Sequence, residues 1–186
     1  MTTESALRDG THKMEQAVNH LKEDLGAIRT GRASPAVLNR VMVEYYGTSV
    51  PLNQLASVNV PEPRLLQVSP FDKTAIGAIE KAIQSSELGI TPSNDGNVIR
   101  LAFPPLTEER RKDLVRQVHH RAEEARVAIR NVRRHAKEEM EKLERGGSIS
   151  EDDLTRAEKE LQKLTDRFVA EVDDIQGHKE RELLEV

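Results

Sequence analysis

Residues 104–147 read PPLTEERRKDLVRQVHHRAEEARVAIRNVRRHAKEEMEKLERGG, and this stretch decides the architecture. Pro104 and Pro105 block helix before it, because proline lacks an N–H and its ring clashes with the preceding turn. Thr107 suits an N-cap, and Glu108 and Glu109 suit the positive end of a helix dipole. Val115, Ala122, Ile129, Ala136 and Leu143 then repeat every seven residues, with Val118, Ala125 and Val132 beside them. Gly146-Gly147 closes the run. The pattern predicts one helix over 106–145, about 55–60 Å long at ~1.5 Å per residue.

Two other segments carry matching seams. Over 6–29, Leu7, Met14, Leu21 and Ile28 recur every seven residues, with Val18 and Leu25 alongside. This helix is expected to stop near Thr30-Gly31, where Gly31 suits a C-terminal cap. Over 151–184, Leu154, Leu161, Phe168 and Ile175 repeat, flanked by Ala157 and Leu164. Ser150 followed by Asp153 resembles a capping box. Three helices with heptad seams, two of them joined by a tight Gly-Gly turn, predict an antiparallel three-helix bundle.

Residues 32–105 follow a different rhythm. Arg40–Tyr46 reads as a strand running into a turn at Gly47-Thr48. Leu55–Val60 and Leu65–Ser69 read as short strands separated by Pro61-Glu62-Pro63. Asp72 suits the cap of a helix carrying Ile76, Ile79 and Ile83. Asn94-Asp95-Gly96-Asn97 is a turn signal, and Val98–Phe103 is a last strand. The expected fold is α+β, with a small β-rich α+β domain (31–105) inserted between the first two helices of a long bundle (1–30 with 106–186). Two chain crossings, at Thr30-Gly31-Arg32 and Pro104-Pro105, join the domains and form the expected hinge.

Composition limits the function. Of 186 residues, 32% are charged and 3% aromatic, which suits exposed helices better than one large core. There is no cysteine, so disulfides, thiol catalysis and Cys-based metal sites are excluded. The N-terminal residues do not form a secretory signal, and no apolar run reaches the ~18–20 residues needed to cross a bilayer. A cytoplasmic monomer without cofactor is expected.

The net charge of −4 conceals segregation. Segment 110–137 holds ten Lys/Arg against three Asp/Glu, whereas 138–186 holds eight against sixteen. On the long helix, positions alternating by four and three give Lys112, Arg116, His119, Glu123, Arg126, Arg130, Arg133 and Lys137, one stripe beside the apolar seam. The stripe has three readings. It can be a solvated face whose arginines pair with acids of neighbouring helices. It can meet an anionic membrane, but the apolar seam is already needed for bundle packing. It can meet nucleic acid, and the six basic residues from 116 to 134 are all arginine, the side chain suited to bidentate phosphate contacts. With few aromatics to stack bases, the favoured partner is folded RNA recognised by shape and phosphates.

Enzyme readings find little support. No phosphate-binding G-x-x-x-x-G-K-[ST] occurs. His119-His120 and His135 lack the i, i+4 spacing of metal ligands. Glu151-Asp152-Asp153 is explained by helix-start electrostatics, and no nucleophile has a base beside it.

Several runs resemble the ribosome recycling factor family: Arg29-Thr30-Gly31-Arg32-Ala33-Ser34-Pro35, Val43-Glu44-Tyr45-Tyr46-Gly47-Thr48, Gln54-Leu55-Ala56-Ser57-Val58, Pro104 through Leu114, Arg130-Asn131-Val132-Arg133-Arg134 and Ile149 through Asp153. The resemblance spans essentially the whole chain, and after Asp166 only the apolar pattern matches. It implies an L-shaped, tRNA-like outline and binding to the post-termination 70S ribosome through large-subunit ribosomal RNA. It also implies splitting into subunits with elongation factor G and GTP hydrolysis by that partner. By the same resemblance Arg133 falls on the family's principal arginine, and Arg29, Gly31, Arg32, Arg126 and Arg130 fall on ribosome-facing or hinge positions. The expected RNA-binding set is therefore Arg29, Arg32, Lys112, Arg116, Arg126, Arg130, Arg133 and Lys137. The alternative is a helical scaffold or RNA-binding adaptor without splitting activity.

Overall fold

The computed structural model describes residues 1–185; Val186, counted above in the bundle domain, lies outside the described residues. In chain order the elements are α1 (Thr3–Gly26), β1 (Met42–Tyr45), β2 (Thr48–Pro51), the single turn α2 (Leu52–Leu55), β3 (Ala56–Glu62), β4 (Leu65–Pro70), α3 (Ile76–Gln84), β5 (Pro92–Asn94), β6 (Ile99–Ala102), α4 (Glu108–Arg145) and α5 (Glu151–Leu184). Short 3-10 turns occupy Pro35–Leu38 and Lys73–Ala75. The chain divides into two compact units, Met1–Ile28 with Glu108–Glu185, and Arg29–Thr107. Among the described residues no helix is long and apolar enough to cross a membrane.

In the helical unit, α1, α4 and α5 pack pairwise. α1 starts earlier than its seam suggests, because Thr2 and Ser5 form a reciprocal cap. The Thr2 hydroxyl accepts from the Ser5 N–H at 3.0 Å, and the Ser5 hydroxyl accepts from the Thr2 N–H at 2.9 Å. It also ends earlier. The Ile28 N–H bonds to Leu25 O at 3.1 Å, a tightened last turn, so the helix stops at Gly26 and Gly31 is not its cap. Gly26 and Ala27 are exposed and gain nothing from burial, while Gly26 has poor helix propensity.

The α4–α5 turn follows from its glycines. Gly147 takes φ +72°, its N–H reaches Glu144 O at 2.9 Å, and the Ser148 N–H reaches Leu143 O at 2.9 Å. This paired closure satisfies carbonyls that a helix end leaves open. α5 then begins on the expected cap: the Ser150 hydroxyl accepts from the Asp153 N–H at 3.1 Å, and the Asp153 carboxylate accepts from the Ser150 N–H at 3.3 Å.

The buried faces differ from strict heptads. α4 buries Leu114, Val118, Ala122, Ala125, Ile129, Ala136 and Met140, whereas Val115, Val132 and Leu143 are only half-buried. α5 buries Val172 and Leu183, with Leu154 and Ile175 half-buried. An α-helix has about 3.6 residues per turn, so a seven-residue series drifts ~20° per heptad and the buried line needs extra four-residue steps. Gly10 on α1 is one of the close-packed positions. A Cβ there would lie 3.8 Å from the Ala136 Cβ.

The smaller unit has two sheets: β1–β2, and a four-stranded antiparallel sheet in the order β3-β4-β6-β5. The Arg40–Tyr46 strand is shorter than expected, and β2, β5 and α2 are additions to the expected elements. Leu66 and Val68 of β4, Ile99 and Leu101 of β6, and Ile79 and Ile83 of α3 are fully buried and make the centre of its core with Val43 and Leu52. Asp72 caps the 3-10 turn that leads into α3, accepting from the Thr74 N–H at 2.9 Å. Its other oxygen accepts from the Tyr45 hydroxyl at 2.7 Å, tying β1 to the start of the helix. That bond pushes the Tyr45 hydroxyl up to about 12 and holds the Asp72 carboxyl below the usual carboxylate range.

Candidate nucleic-acid interface

The stripe on α4 is continuous along the helix, but its side chains fall into distinct states. At the N-terminal end Lys112 and Arg116 are exposed, with side chains 70% and 75% accessible. Among the described residues they pair only within the helix, Lys112 with Glu108 at 2.9 Å and Arg116 with Asp113. Such pairs in solvent contribute a few tenths of a kcal/mol and yield easily to a stronger anion. Further along, the seven-residue spacing turns the stripe toward the α5 side.

Arg126 shows the result. Its side chain is only 13% accessible, and its guanidinium is committed. Nε donates to Asp173 at 2.9 Å, one terminal nitrogen donates to Asp173 at 2.6 Å and to the Gln176 carbonyl, and the other reaches Glu123 at 3.3 Å. The Gln176 amide nitrogen in turn donates to Glu180 at 2.8 Å and lies 3.1 Å from His119 Nδ1. Asp173 and Gln176 thus join the site from α5, which the stripe alone does not reveal. The signal for them is a polar pair at i, i+3 on an acid-rich helix, too common to single out.

Arg130 is exposed and among the described residues reaches only Glu123, at 3.3 Å. Arg133 is half-buried, and its Nε is buried with no hydrogen-bond partner among the described residues. Lys137 sits 3.8 Å from both Glu141 and Glu158. From Val127 to Lys137 the sequence holds Arg130, Arg133, Arg134 and Lys137 and no acid. Net positive charge is therefore concentrated in the C-terminal half of the stripe and in Arg134 beside it.

The other two expected RNA-binding residues lie on the smaller unit, Arg29 exposed and Arg32 half-buried. The crossing residues are in stretches without helix or strand. One stretch runs from Ile28, whose N–H makes the last bond of α1, to Ala33, whose N–H donates to Pro63 O at 2.8 Å. The other runs from Phe103, whose N–H donates to Arg64 O at 2.8 Å, to the start of α4 at Glu108. Both are thus rooted on the β3–β4 connection. Thr30 is buried, Pro104 and Pro105 are exposed, and Gly31 has φ +77°. A Cβ on Gly31 would lie 3.1 Å from Leu106 Cγ, so the two crossing segments touch closely at a backbone conformation that favours glycine.

Among the described residues no group of three or more His, Asp or Glu side chains is placed to hold a metal. What these observations define is a mixed helix-and-sheet protein with a long helical part and an arginine-rich edge. The chain belongs to the ribosome recycling factor family: residues 21–184 match the family described as Ribosome recycling factor. The Ribosome-recycling factor of Acidothermus cellulolyticus is 55% identical over 183 residues, covering 98% of this chain and 99% of that one. The solution structure of a ribosome recycling factor covers 100% of this chain and 99% of its own, at TM-score 0.73 and 45% identity. A second solved structure, at TM-score 0.63 and 49% identity, covers 99% of this chain and 100% of its own. It is the T. thermophilus ribosome recycling factor in models, with E. coli elongation factor G, bound to the E. coli post-termination complex.

Proposed function

We propose that this chain binds the post-termination ribosome in the cytoplasm and, with elongation factor G, splits it into subunits. The observation that carries the reading is the open cationic edge of α4, in a chain that matches the family along nearly its whole length. The factor acts as a monomer and without an active site. Its helical unit is an antiparallel three-helix bundle and serves as the RNA-binding arm. The sheet unit is an inserted domain, carried on a hinge at Thr30-Gly31-Arg32 and Pro104-Pro105 within an L-shaped molecule. Rotation at the hinge, driven by the partner GTPase, loads intersubunit contacts while the rod stays anchored.

The anchoring residues are Arg130, Arg133 and Lys137, with Lys112, Arg116, Arg29 and Arg32 at the margins. Arg126 takes a different role from the one its place in the stripe suggests. Held by Asp173 and Gln176, it braces α4 against α5 and positions the neighbouring arginines. The scaffold reading has this one observation in its favour.

The test is ribosome pelleting and subunit splitting with elongation factor G and GTP across a salt series. Arg130→Ala with Arg133→Ala is expected to abolish binding with folding intact, since the exposed Arg130 costs under about 0.5 kcal/mol to replace and Arg133→Ala removes a buried Nε that has no hydrogen-bond partner among the described residues. Unchanged ribosome affinity in a destabilised protein would establish the scaffold reading instead.

A further inference from the structure

The stripe is not the only face of α4 with unused binding capacity. Val127 is 46% exposed, one of few large apolar side chains left in solvent. Asn131 and Arg134 follow at i+4 and i+7, so all three share one face, with Arg130 at its edge. Asn131 and Arg134 are exposed, and neither makes a side-chain hydrogen bond or ion pair among the described residues. The acids at either end of this face are engaged. Glu124 pairs with His120 at 2.9 Å and with Arg121 at 3.3 Å, and Glu138 pairs with His135 at 3.7 Å.

An apolar side chain, an unsatisfied amide and a free guanidinium in one row have a chemistry that phosphates alone do not use. A carboxamide carries both donors and an acceptor, so it matches a group that is itself donor and acceptor. The ribose 2′-hydroxyl is such a group, and it lines the wide, shallow minor groove of helical RNA. Val127 can lie against the apolar edge of the same sugars while Arg130 and Arg134 reach the flanking phosphates. A protein partner is less favoured, because the row is acid-free and flanked by cations from Val127 to Lys137.

The geometry points to Asn131, flanked by Val127 and Arg134, as a contact to the sugar edge of a folded RNA strand, outside the arginine stripe. The inference rests on the reading of α4 as RNA-facing. Asn131 would distinguish RNA helix from any other polyanion, and the arginines would supply the affinity.

The experiment measures ribosome binding by Asn131→Ala, Arg134→Ala and the Arg130→Ala/Arg133→Ala variant at several salt concentrations. Far-UV circular dichroism and urea unfolding accompany each. Alanine is the better helix former, so Asn131→Ala should fold at least as well as the parent. It is expected to bind roughly five- to tenfold more weakly at every salt concentration, the loss of about one hydrogen bond. The slope of affinity against salt should not change, because no counterion is released by an amide. Arg134→Ala should weaken binding and lower that slope by about one ionic contact. If Asn131→Ala and Arg134→Ala bind within twofold of the parent while the Arg130/Arg133 variant fails, the inference falls and the function stands. If none of the three weakens binding, the RNA-facing reading of α4 falls with it. A changed slope for Asn131→Ala would also overturn the sugar contact.

Discussion

The division of labour within the stripe can be tested through Arg126 and Asp173. Replacing Arg126 by Ala removes two charge-assisted bonds to Asp173, one to Gln176 and a longer one to Glu123, with the packing of a side chain only 13% accessible. A hydrogen bond to a charged group contributes about 1.5–3 kcal/mol when sheltered, whereas an exposed ion pair contributes about 0.2–1 kcal/mol. Asp173 is 56% accessible and rehydrates when its partner leaves, so the cost lies between these limits. We expect Arg126→Ala to lower unfolding stability by about 1.5–2 kcal/mol and Asp173→Ala by about 1 kcal/mol. The double variant should show a coupling of about 1 kcal/mol. The assay is urea unfolding followed by circular dichroism, dominated by the long helices. Ribosome affinity of the folded Arg126→Ala protein should fall less than threefold. A coupling under about 0.3 kcal/mol together with a tenfold or larger drop in ribosome binding would refute this division of labour. In that case the contacts to α5 are only a resting place for an RNA-binding arginine.

Gly31→Ala should destabilise the protein by about 1–2 kcal/mol, because alanine is strained at positive φ and its Cβ would press on Leu106. Gly177→Ala is the control in the interior of α5, where a Cβ meets nothing closer than 3.9 Å; it should stabilise by about 1 kcal/mol in the same unfolding assay. Ser150→Ala should cost about 1 kcal/mol by removing the cap of α5. Acid should weaken both units. Asp95 is held down to about 2 by the Val98 and Asn97 N–H groups and by Arg100, and Asp72 and Asp153 are lowered by their own hydrogen bonds. A carboxyl depressed by folding stabilises the protein above its unfolded value of about 3.9 and loses that contribution as pH falls through the folded value. Thermal midpoints measured from pH 5 to pH 2 should therefore fall, and Asp95→Asn should flatten the lower part of the curve.

The long helices were legible in the sequence because their punctuation is local. Pro104-Pro105, Gly146-Gly147 and the Ser150–Asp153 pair act within a turn of where they stand, and α4 and α5 lie within two residues of their expected bounds. The misread end is that of α1. There Gly31 does adopt the left-handed conformation expected of a cap, but in service of the crossing at Leu106, a contact made 75 positions away in the sequence. In the smaller unit, β2, β5 and α2 are three or four residues long, too short for a periodic signal. The stripe was legible as a row of charges. Which of its members are free was not, because that depends on Asp173 and Gln176, 47 and 50 residues beyond Arg126.

The seven-residue spacing of that row has a geometric consequence for how the rod can be held. On a helix with about 3.6 residues per turn each seven-residue step falls short by ~20°, so the series Lys112, His119, Arg126, Arg133 and the series Arg116, Glu123, Arg130, Lys137 each turn about the helix axis by roughly 60°. The cations therefore form a shallow screw thread rather than a flat strip. A rigid surface that meets Arg133 face-on meets Arg116, about 100° away around the axis, edge-on. Rolling the rod about its own long axis shifts the grip from one end of the thread to the other without lifting it from the surface. Torque applied to such a rod loosens one set of contacts while it tightens the next.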